Sequence, residues 1–193
     1  MIIVFGGAFN PPTHAHKAIY DRLTHTHKPQ KFVFLPVGDV YHKADLAPCH
    51  HRLAMLKLLF ENDESVEVLS LECDQAEFKG TYHSLNLLSN QYQDDLVYVI
   101  GADHLEGLKH WLHAQQLIQQ YRFIVLNRGP KPLTQWFDED AWLRQHRDRF
   151  LLEEAIDFPI AATDYRRHRH QGVVPDAIET YIQTHKLYPK EVR

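Results

Sequence analysis

Six short and nearly continuous apolar runs constrain the fold of this 193-residue chain more than any other feature. The runs lie at residues 1–5, 31–36, 66–71, 96–100, 123–126 and, more weakly, 150–152. Their apolar residues do not alternate strictly with polar ones, which is typical of parallel strands buried on both faces. The runs therefore predict six strands of a mostly parallel sheet.

Helical patterns separate these runs. They cover residues 15–27, 48–61, 83–92, 111–120 and 139–147, and a final amphipathic pattern over 174–188 is introduced by Pro175. Strands that alternate with helices imply right-handed crossovers and an α/β fold. We therefore predict a Rossmann-like, doubly wound sheet with a C-terminal helical segment. Because no repeat or linker is visible, we predict a single domain over residues 1–193.

The composition narrows the classes of partner. The net charge of -4 argues against a dedicated nucleic-acid binder, which usually carries a clustered positive excess. No secretory signal and no apolar run of membrane-spanning length is present. We therefore expect a cytoplasmic protein with no nucleic-acid partner and no membrane partner. Cys49 and Cys73 are far apart and fit no metal-ligand or redox spacing, so their expected role is packing.

Histidine is unusually frequent, with 15 residues. Several occur in pairs, such as His25/His27, His50/His51 and His168/His170. A specific metal site would need companion cysteines or carboxylates at ligand spacing, and these pairs have none. We therefore expect mostly surface histidines and predict no metal-ligating residues.

The loop after the first run has the features of a phosphate-binding turn. Ligands of doubly wound sheets bind at the carboxyl ends of the strands. Gly6 and Gly7 would let backbone N–H groups approach a phosphate closely, and Asn10 followed by Pro11 can open a helix. A strand, two glycines and a helix also fit an ordinary glycine turn, and neither common glycine-rich nucleotide motif is present.

Residues 7–16 resemble the signature G-x-F-x-P-x-[HT]-x-x-H of the nucleotidylyltransferase superfamily, which includes the adenylyltransferases of NAD and coenzyme A synthesis. The matching positions are Gly7, Phe9, Pro11, Thr13 and His16. Thr13 stands where many members have the first histidine, and Ala15 replaces a glycine. The resemblance implies that His16 is catalytic. It also implies that ATP contacts Gly6, Gly7, Ala8, Phe9, Thr13 and His16.

A second segment, residues 160–166, resembles the I-S-x-T-x-x-R motif that holds ATP phosphates in the same superfamily. The resemblance implies that Thr163 and Arg166 bind ATP and that Arg166 is catalytic. We expect Thr163 to cap a helix in which Arg166 lies on the first turn. Ala161 departs from the usual serine. Taken alone, the segment also fits an ordinary capped helix with a solvated basic face.

Further segments are similar, in order along the chain, to the nicotinate-nucleotide (nicotinamide-nucleotide) adenylyltransferase family. They are residues 40–43, Arg52 with Met55, residues 80–85, residues 100–103 followed by Trp111, and residues 125–129. The resemblance implies that Gly101 and Asp103 contact ATP, Asp103 through ribose hydroxyls. The positions it assigns to the mononucleotide are Asn10, Lys43, Thr81, Tyr82, Trp111 and Arg128.

The family resemblance implies the transfer of AMP from ATP to nicotinate mononucleotide, which yields nicotinate adenine dinucleotide and pyrophosphate in NAD biosynthesis. The implied cofactor is Mg²⁺, bound mainly through substrate phosphates. One alternative is pantetheine-phosphate adenylyltransferase, which shares the first motif and often has threonine at the position of Thr13. Another is a catalytically weakened nucleotide-binding sensor, suggested by Ala15 and Ala161. The sequence leaves open a homo-oligomer and the choice between nicotinate and nicotinamide.

Overall fold

A computed structural model describes residues 1–41, 45–127, 129–153, 162–168 and 172–189. Its six strands are β1 Ile2–Gly7, β2 Lys31–Pro36, β3 Val66–Val68, β4 Leu96–Gly101, β5 Arg122–Leu126 and β6 Phe150–Glu153. They form one sheet in the order β3-β2-β1-β4-β5-β6. Strand β4 pairs in parallel with β1 and with β5, with Ile2 opposite Leu96 and Val97 opposite Arg122. The predicted doubly wound α/β fold is confirmed.

Helices alternate with these strands along the chain, and the last two follow β6. They are α1 His14–His27, α2 Cys49–Leu59, α3 Thr81–Tyr92, α4 Ala114–Gln120, α5 Leu133–Glu139, α6 Ala141–Gln145, α7 Ala162–His168 and α8 Asp176–Thr184. No helix among these described residues is long and apolar enough to cross a membrane.

Three predicted elements have different bounds. The third strand ends at Val68 rather than residue 71, because the chain then turns and Asp74 N–H bonds to Ser70 O at 3.0 Å. The helix predicted from 111 begins at Ala114, since His113 is left-handed with φ 58°. The helix predicted over 139–147 is wrong as one element. Asp140 interrupts it, and its Oδ1 accepts from Trp142 N at 2.8 Å to begin α6.

Residue contacts divide the chain into two compact units. The first unit comprises residues 1–6, 29–31 and 79–157, and the second comprises 7–28, 32–78 and 158–193. The second unit has an apolar cluster formed by Met55, Tyr165, Val173, Val174, Ile178 and Ile182. Tyr165 is 1% exposed in this cluster, so burial of Tyr165 fixes the orientation of α7 within the unit.

Cys49 and Cys73 correct the expectation of simple packing. The structure joins them as a disulfide, with Cα atoms 5.9 Å apart, inside the usual range for such a bridge. The 24-residue separation in sequence hid this proximity, because β3 and the turn after it return the chain to the start of α2.

Gly6 is fixed by its close approach to a buried ring in the first unit. A Cβ at this position would lie 1.9 Å from Tyr98 Oη and 2.7 Å from Tyr98 Cζ. We expect Gly6→Ala to lower the free energy of unfolding by about 1–3 kcal/mol through overpacking. Denaturant titration measures this loss. Gly129→Ala is the matched control, because a Cβ there meets nothing within 4 Å, and an equal loss in both variants would contradict the explanation.

Three histidines and a tyrosine pack where α2 meets α8 in the second unit. The rings of His50 and His185 lie 4.0 and 5.1 Å from that of His51, whose Nδ1 is 3.0 Å from Tyr181 Oη. Burial lowers the pKa of His51, and the neighbouring charges of His50 and His185 lower it further. His51 is half-buried in this contact, whereas His50 and His185 are exposed, so the pair His50/His51 lies at the surface as expected.

The lowered pKa of His51 predicts a pH effect on stability. The unfolded chain takes up its proton near pH 6.5, whereas the folded chain resists it until lower pH. This contribution to stability is thus complete above pH 6.5 and is lost as the pH falls below it. We expect His51→Gln to reduce the fall in Tm between pH 7.5 and pH 5.5, measured by thermal melts. His25→Gln, exposed on α1, is the control, and an unchanged fall in His51→Gln would refute the prediction.

Candidate functional site

The loop after β1, residues 8–13, is held in one conformation within the second unit. Phe9 is left-handed with φ 46° and only 2% exposed. Its ring meets those of His16 and Phe34 edge-on, at centroid distances of 5.1 and 5.5 Å. A Cβ at Gly7 would lie 3.2 Å from the Phe9 ring, so glycine leaves the space that this ring occupies. A left-handed non-glycine residue persists only where its surroundings enforce it, and such positions cluster at functional sites.

His16 closes this loop onto α1. Its Nδ1 accepts the backbone N–H of Thr13 at 2.9 Å and lies 2.9 Å from Thr13 Oγ1. Thr13 is the N-cap of α1, and His16 takes the place of the glutamate or glutamine in a capping box. Because Nδ1 accepts a hydrogen bond, the proton of the neutral ring is assigned to Nε2, which is therefore a donor.

Arg166 holds the same loop from α7. Its Nη1 donates to Asn10 O at 2.6 Å, and its Nη2 lies 3.4 Å from Thr163 Oγ1. The loop is tied once more where His14 N–H donates to Val173 O at 3.1 Å. His16 and Arg166 therefore both bind the same buried loop. His16 contacts it at Thr13 and Arg166 contacts it at Asn10, three residues earlier. The two predicted catalytic side chains share this anchoring.

Thr163 differs from its predicted position. It is the second residue of α7, which begins at Ala162, and is not the N-cap. The expected capping role is therefore wrong, because the helix starts at Ala162, two residues before the first helical residue that a Thr163 cap would give. Its hydroxyl faces the Arg166 guanidinium instead. Ile160 and Ala161, the first two residues of the predicted motif, lie outside the described residues.

Gly101 ends β4 in the first unit, and Asp103 and Trp111 follow it. Asp103 lies in a 3-10 turn, Ala102–His104, and its side chain is 74% exposed. A Cβ at Gly101 would lie 2.2 Å from Asp103 Oδ1, so this carboxylate rests against a residue without a side chain. Trp111 is half-buried and meets the His104 ring at 5.8 Å. An exposed carboxylate and an aromatic ring are suited to hydroxyl groups and a flat base, respectively.

Thr81 and Tyr82 begin α3 in the same unit. Gly80, with φ 81°, precedes them, and a Cβ there would lie 2.9 Å from Leu112 Cβ. The Tyr82 ring lies 5.5 Å from that of His113. The start of α3 thus lies beside the segment that contains Trp111, as a shared role would require. Lys43 and Arg128, both predicted to bind the mononucleotide, lie outside the described residues.

The Asn10 side chain is buried and makes its hydrogen bonds within the protein. It is 2% exposed, its Nδ2 donates to Asp45 O at 2.7 Å, and its Oδ1 accepts from Ala47 N at 3.0 Å. The same oxygen accepts from Tyr188 Oη at 2.7 Å. Three of the four hydrogen bonds that an asparagine side chain can make are therefore internal. Its predicted contact with the mononucleotide stays a prediction, and these bonds give it a structural role as well.

Arg52 is the residue beside the loop to which the sequence assigned no role. It is 0% exposed, and its Nη1 donates to Ala8 O at 3.1 Å. The signal available in the sequence is its place on an apolar stripe of α2, three and four residues before Met55 and Leu56, both of which are also 0% exposed. An arginine at such a position needs buried partners.

The abundance of histidine raises the question of a bound metal ion. Within the described parts of the chain, no three side chains of His, Cys, Asp or Glu are grouped so that they could hold one. The histidine pairs His25/His27 and His50/His51 lie in the described parts of the chain, and neither pair belongs to such a group.

Comparison with known proteins gives the family. Residues 4–168 match the family model described as cytidylyltransferase-like. The protein named "Probable nicotinate-nucleotide adenylyltransferase" from Acholeplasma laidlawii is 36% identical over 193 residues, covering 97% of each chain. A protein of the same name from Thermomicrobium roseum is 31% identical, over 96% of this chain and 90% of that protein.

Solved structures show the same fold. The nicotinic acid mononucleotide adenylyltransferase of Plasmodium falciparum, complexed with NaAD, superimposes with a TM-score of 0.81 at 18% identity, covering 100% of this chain and 98% of that one. A putative nicotinate-nucleotide adenylyltransferase of Vibrio parahaemolyticus gives a TM-score of 0.62 at 19% identity, over 97% and 94%. The chain therefore belongs to the cytidylyltransferase-like family and, within it, to the nicotinate-nucleotide adenylyltransferases.

Proposed function

We propose that the protein transfers the adenylyl group of ATP to the 5′-phosphate of nicotinate mononucleotide. The observation that carries the proposal is the attachment of His16 and Arg166 to one buried loop, in a chain 36% identical to a named adenylyltransferase. A phosphate oxygen of the mononucleotide attacks the α-phosphorus of ATP. The bond from that phosphorus to the oxygen bridging it to the β-phosphate breaks, and pyrophosphate leaves with nicotinate adenine dinucleotide as the other product.

This reaction needs little acid–base chemistry from the protein. The second pKa of a phosphate monoester is about 6, so the nucleophile is already an anion at neutral pH. What the protein must supply is the positioning of two polyanions and stabilisation of the charge that grows on the leaving pyrophosphate. In our proposal His16 does so through its Nε2–H and Arg166 through guanidinium N–H groups. The remaining ATP contacts proposed in the same unit are Gly7, Ala8, Phe9, Thr13 and Thr163.

In the first unit, the proposed ATP contacts are Gly6, Gly101 and Asp103, with the Asp103 carboxylate accepting from ribose hydroxyls. Thr81, Tyr82 and Trp111 are proposed to contact the nicotinate mononucleotide, Trp111 through its ring face. Support comes from the exposure of Asp103 and from the contact between Tyr82 and His113. Asn10, Lys43 and Arg128 complete the proposed mononucleotide contacts.

We propose that Mg²⁺ enters with ATP, because phosphate oxygens are ligands it prefers and it keeps several waters. The described side chains fit this arrangement, since they supply hydrogen-bond donors around the loop rather than a cluster of carboxylates. When bound, the ion would neutralise phosphate charge. His16 and Arg166 would still orient the phosphates by hydrogen bonding.

We further propose that the enzyme works in the cytoplasm. Cytosolic thiols are kept reduced, so Cys49 and Cys73 would then be open to reduction. Backbone oxygens lie near both sulfurs and could accept their S–H groups: Val37 O is 3.7 Å from Cys49 Sγ, and Pro36 O is 3.8 Å from Cys73 Sγ.

Pyrophosphate release tests the proposed substrate. The purified chain is assayed with ATP and Mg²⁺ and with one of three acceptors: nicotinate mononucleotide, its amide or phosphopantetheine. We expect the nicotinate form to be used at least about tenfold faster than the others, because the site has to satisfy a carboxylate. Faster use of phosphopantetheine would overturn the proposal. Tight binding of ATP without any pyrophosphate would indicate a sensor.

A further inference from the structure

Arg52 is a charged side chain with no exposure to solvent and with three protein acceptors. Its Nε donates to Ala47 O at 2.7 Å, its Nη1 to Ala8 O at 3.1 Å and its Nη2 to Asp39 Oδ1 at 2.9 Å. A buried guanidinium persists only with such partners, because its desolvation is costly. Each of the three guanidinium nitrogens has its own acceptor, and a lysine ammonium lacks the planar fork that holds these donors in place.

Two of these bonds join separate parts of the second unit. Arg52 links Ala8, in the loop after β1, to Ala47, just before α2. Asn10 links the same two stretches again, since it donates to Asp45 O and accepts from Ala47 N. Four hydrogen bonds from two buried side chains therefore fix residues 8–10 against residues 45–47. We name these two side chains and their four bonds the loop brace.

The loop brace is connected along the chain to residues with proposed roles in the reaction. On one side, the braced loop continues to Thr13 and His16 and presents Asn10 O to Arg166. On the other side, residues 45–47 closely follow Lys43 in the chain. Asp39 strengthens the arrangement, because its second oxygen accepts Cys49 N–H at 3.1 Å at the start of α2. A shift of the brace would therefore move the loop that leads to Thr13, the hydrogen-bond partner of His16.

We propose that Arg52 is a positioning residue for adenylyl transfer, which sets the loop that is hydrogen-bonded to His16 against residues 45–47 without touching either substrate. The expected effect on kcat rests on the proposed function, whereas the effect of Arg52 on the position of the loop does not depend on it. A misplacement of about 1 Å in a reacting group can cost about a hundredfold in rate. Arg52 therefore acts on kcat through the loop geometry rather than through binding of a phosphate.

Arg52→Lys keeps the charge but loses the fork, and Arg22→Lys, exposed on α1, is the matched control. We expect Arg52→Lys to lower kcat about tenfold or more and to leave KM for ATP within about threefold of the wild-type value. The assay is run at a temperature well below the Tm of the variant, and kcat is expressed per mole of folded enzyme. A merely structural role would lower Tm and leave kcat per folded molecule unchanged. Turnover of Arg52→Lys within about threefold of wild type would overturn the proposal.

Hydrogen exchange without substrate separates the brace from the reaction. Amides of residues 8–16 should exchange about tenfold faster in Arg52→Lys than in Arg22→Lys, because the loop opens more often. Unchanged exchange would overturn the brace even in an active enzyme. An inactive wild type with faster exchange in Arg52→Lys would instead refute only the proposed function and the catalytic consequence.

A second variant decides the matter if Arg52→Lys does not fold. Tyr188→Phe removes only the hydroxyl that donates to Asn10 Oδ1, and Tyr181→Phe is its control, since that hydroxyl contacts His51. Loss of this hydrogen bond to Asn10, one of the two side chains of the loop brace, should lower kcat roughly threefold. Amide exchange in residues 8–16 should become faster by a similar factor. If both quantities match those of Tyr181→Phe, the proposal fails.

Discussion

His16→Ala is expected to lower kcat for adenylyl transfer by about two to three orders of magnitude, the loss typical when one preorganised donor to a developing charge is removed. The expected cause is the Nε2–H, since Nδ1 is occupied by Thr13 N–H. Steady-state pyrophosphate release at saturating ATP and nicotinate mononucleotide measures the change.

The fold should survive this substitution, because His16 is half-buried and contributes a capping bond. We expect a loss of about 1 kcal/mol in the free energy of unfolding, which denaturant titration can check. His14→Ala is the matched control, since His14 is exposed in the same turn and binds Val173 only through its backbone. Turnover of His16→Ala within a few-fold of wild type would show that the assigned role is wrong.

Arg166→Ala is expected to have the second largest effect, about a hundredfold on kcat. It removes a guanidinium that binds Asn10 O at 2.6 Å and, in our proposal, the ATP phosphates. Arg166→Lys should recover only part of the activity, because a lysine cannot donate to the loop and to a phosphate with one planar group. Single-turnover rates with both variants separate this loss from slower product release.

Arg144→Ala controls for removal of a surface arginine, since Arg144 donates to Asp138 O in the first unit. It should leave kcat within about twofold of wild type, as surface changes usually do. An Arg166→Ala enzyme that raises only KM for ATP would contradict a role in the reaction itself. It would instead support uniform binding of ATP.

Much of the fold could be predicted because local pattern and burial agree. The run at 96–100 predicts β4 Leu96–Gly101 almost to the residue, since a fully buried parallel strand must be continuously apolar. Apolar patterning does not reveal where a helix breaks. Asp140 caps α6 with its own side chain, and that signal is weaker than the helical pattern around it.

The candidate site could be predicted only where the motif is local. Thr13 is the N-cap of α1 and His16 is its third helical residue, so their contact follows from the local geometry of a capping box. Arg166 reaches Asn10 O across 156 residues of sequence. The family resemblance suggested only that the two motifs bind one nucleotide, and it did not predict this hydrogen bond. The Arg52 bonds and the Cys49–Cys73 pair depend on tertiary proximity, which spacing along the chain does not encode.

The most direct test follows the label in ATP. With ATP labelled at the α-phosphate and nicotinate mononucleotide, we predict that the label appears in nicotinate adenine dinucleotide, whereas label at the γ-phosphate appears in pyrophosphate. Both products should form in equal amounts, and their rates of formation should fall together, by about two to three orders of magnitude, in His16→Ala. Release of γ-label as inorganic phosphate, or α-label that stays in AMP without any dinucleotide, would contradict adenylyl transfer by this protein.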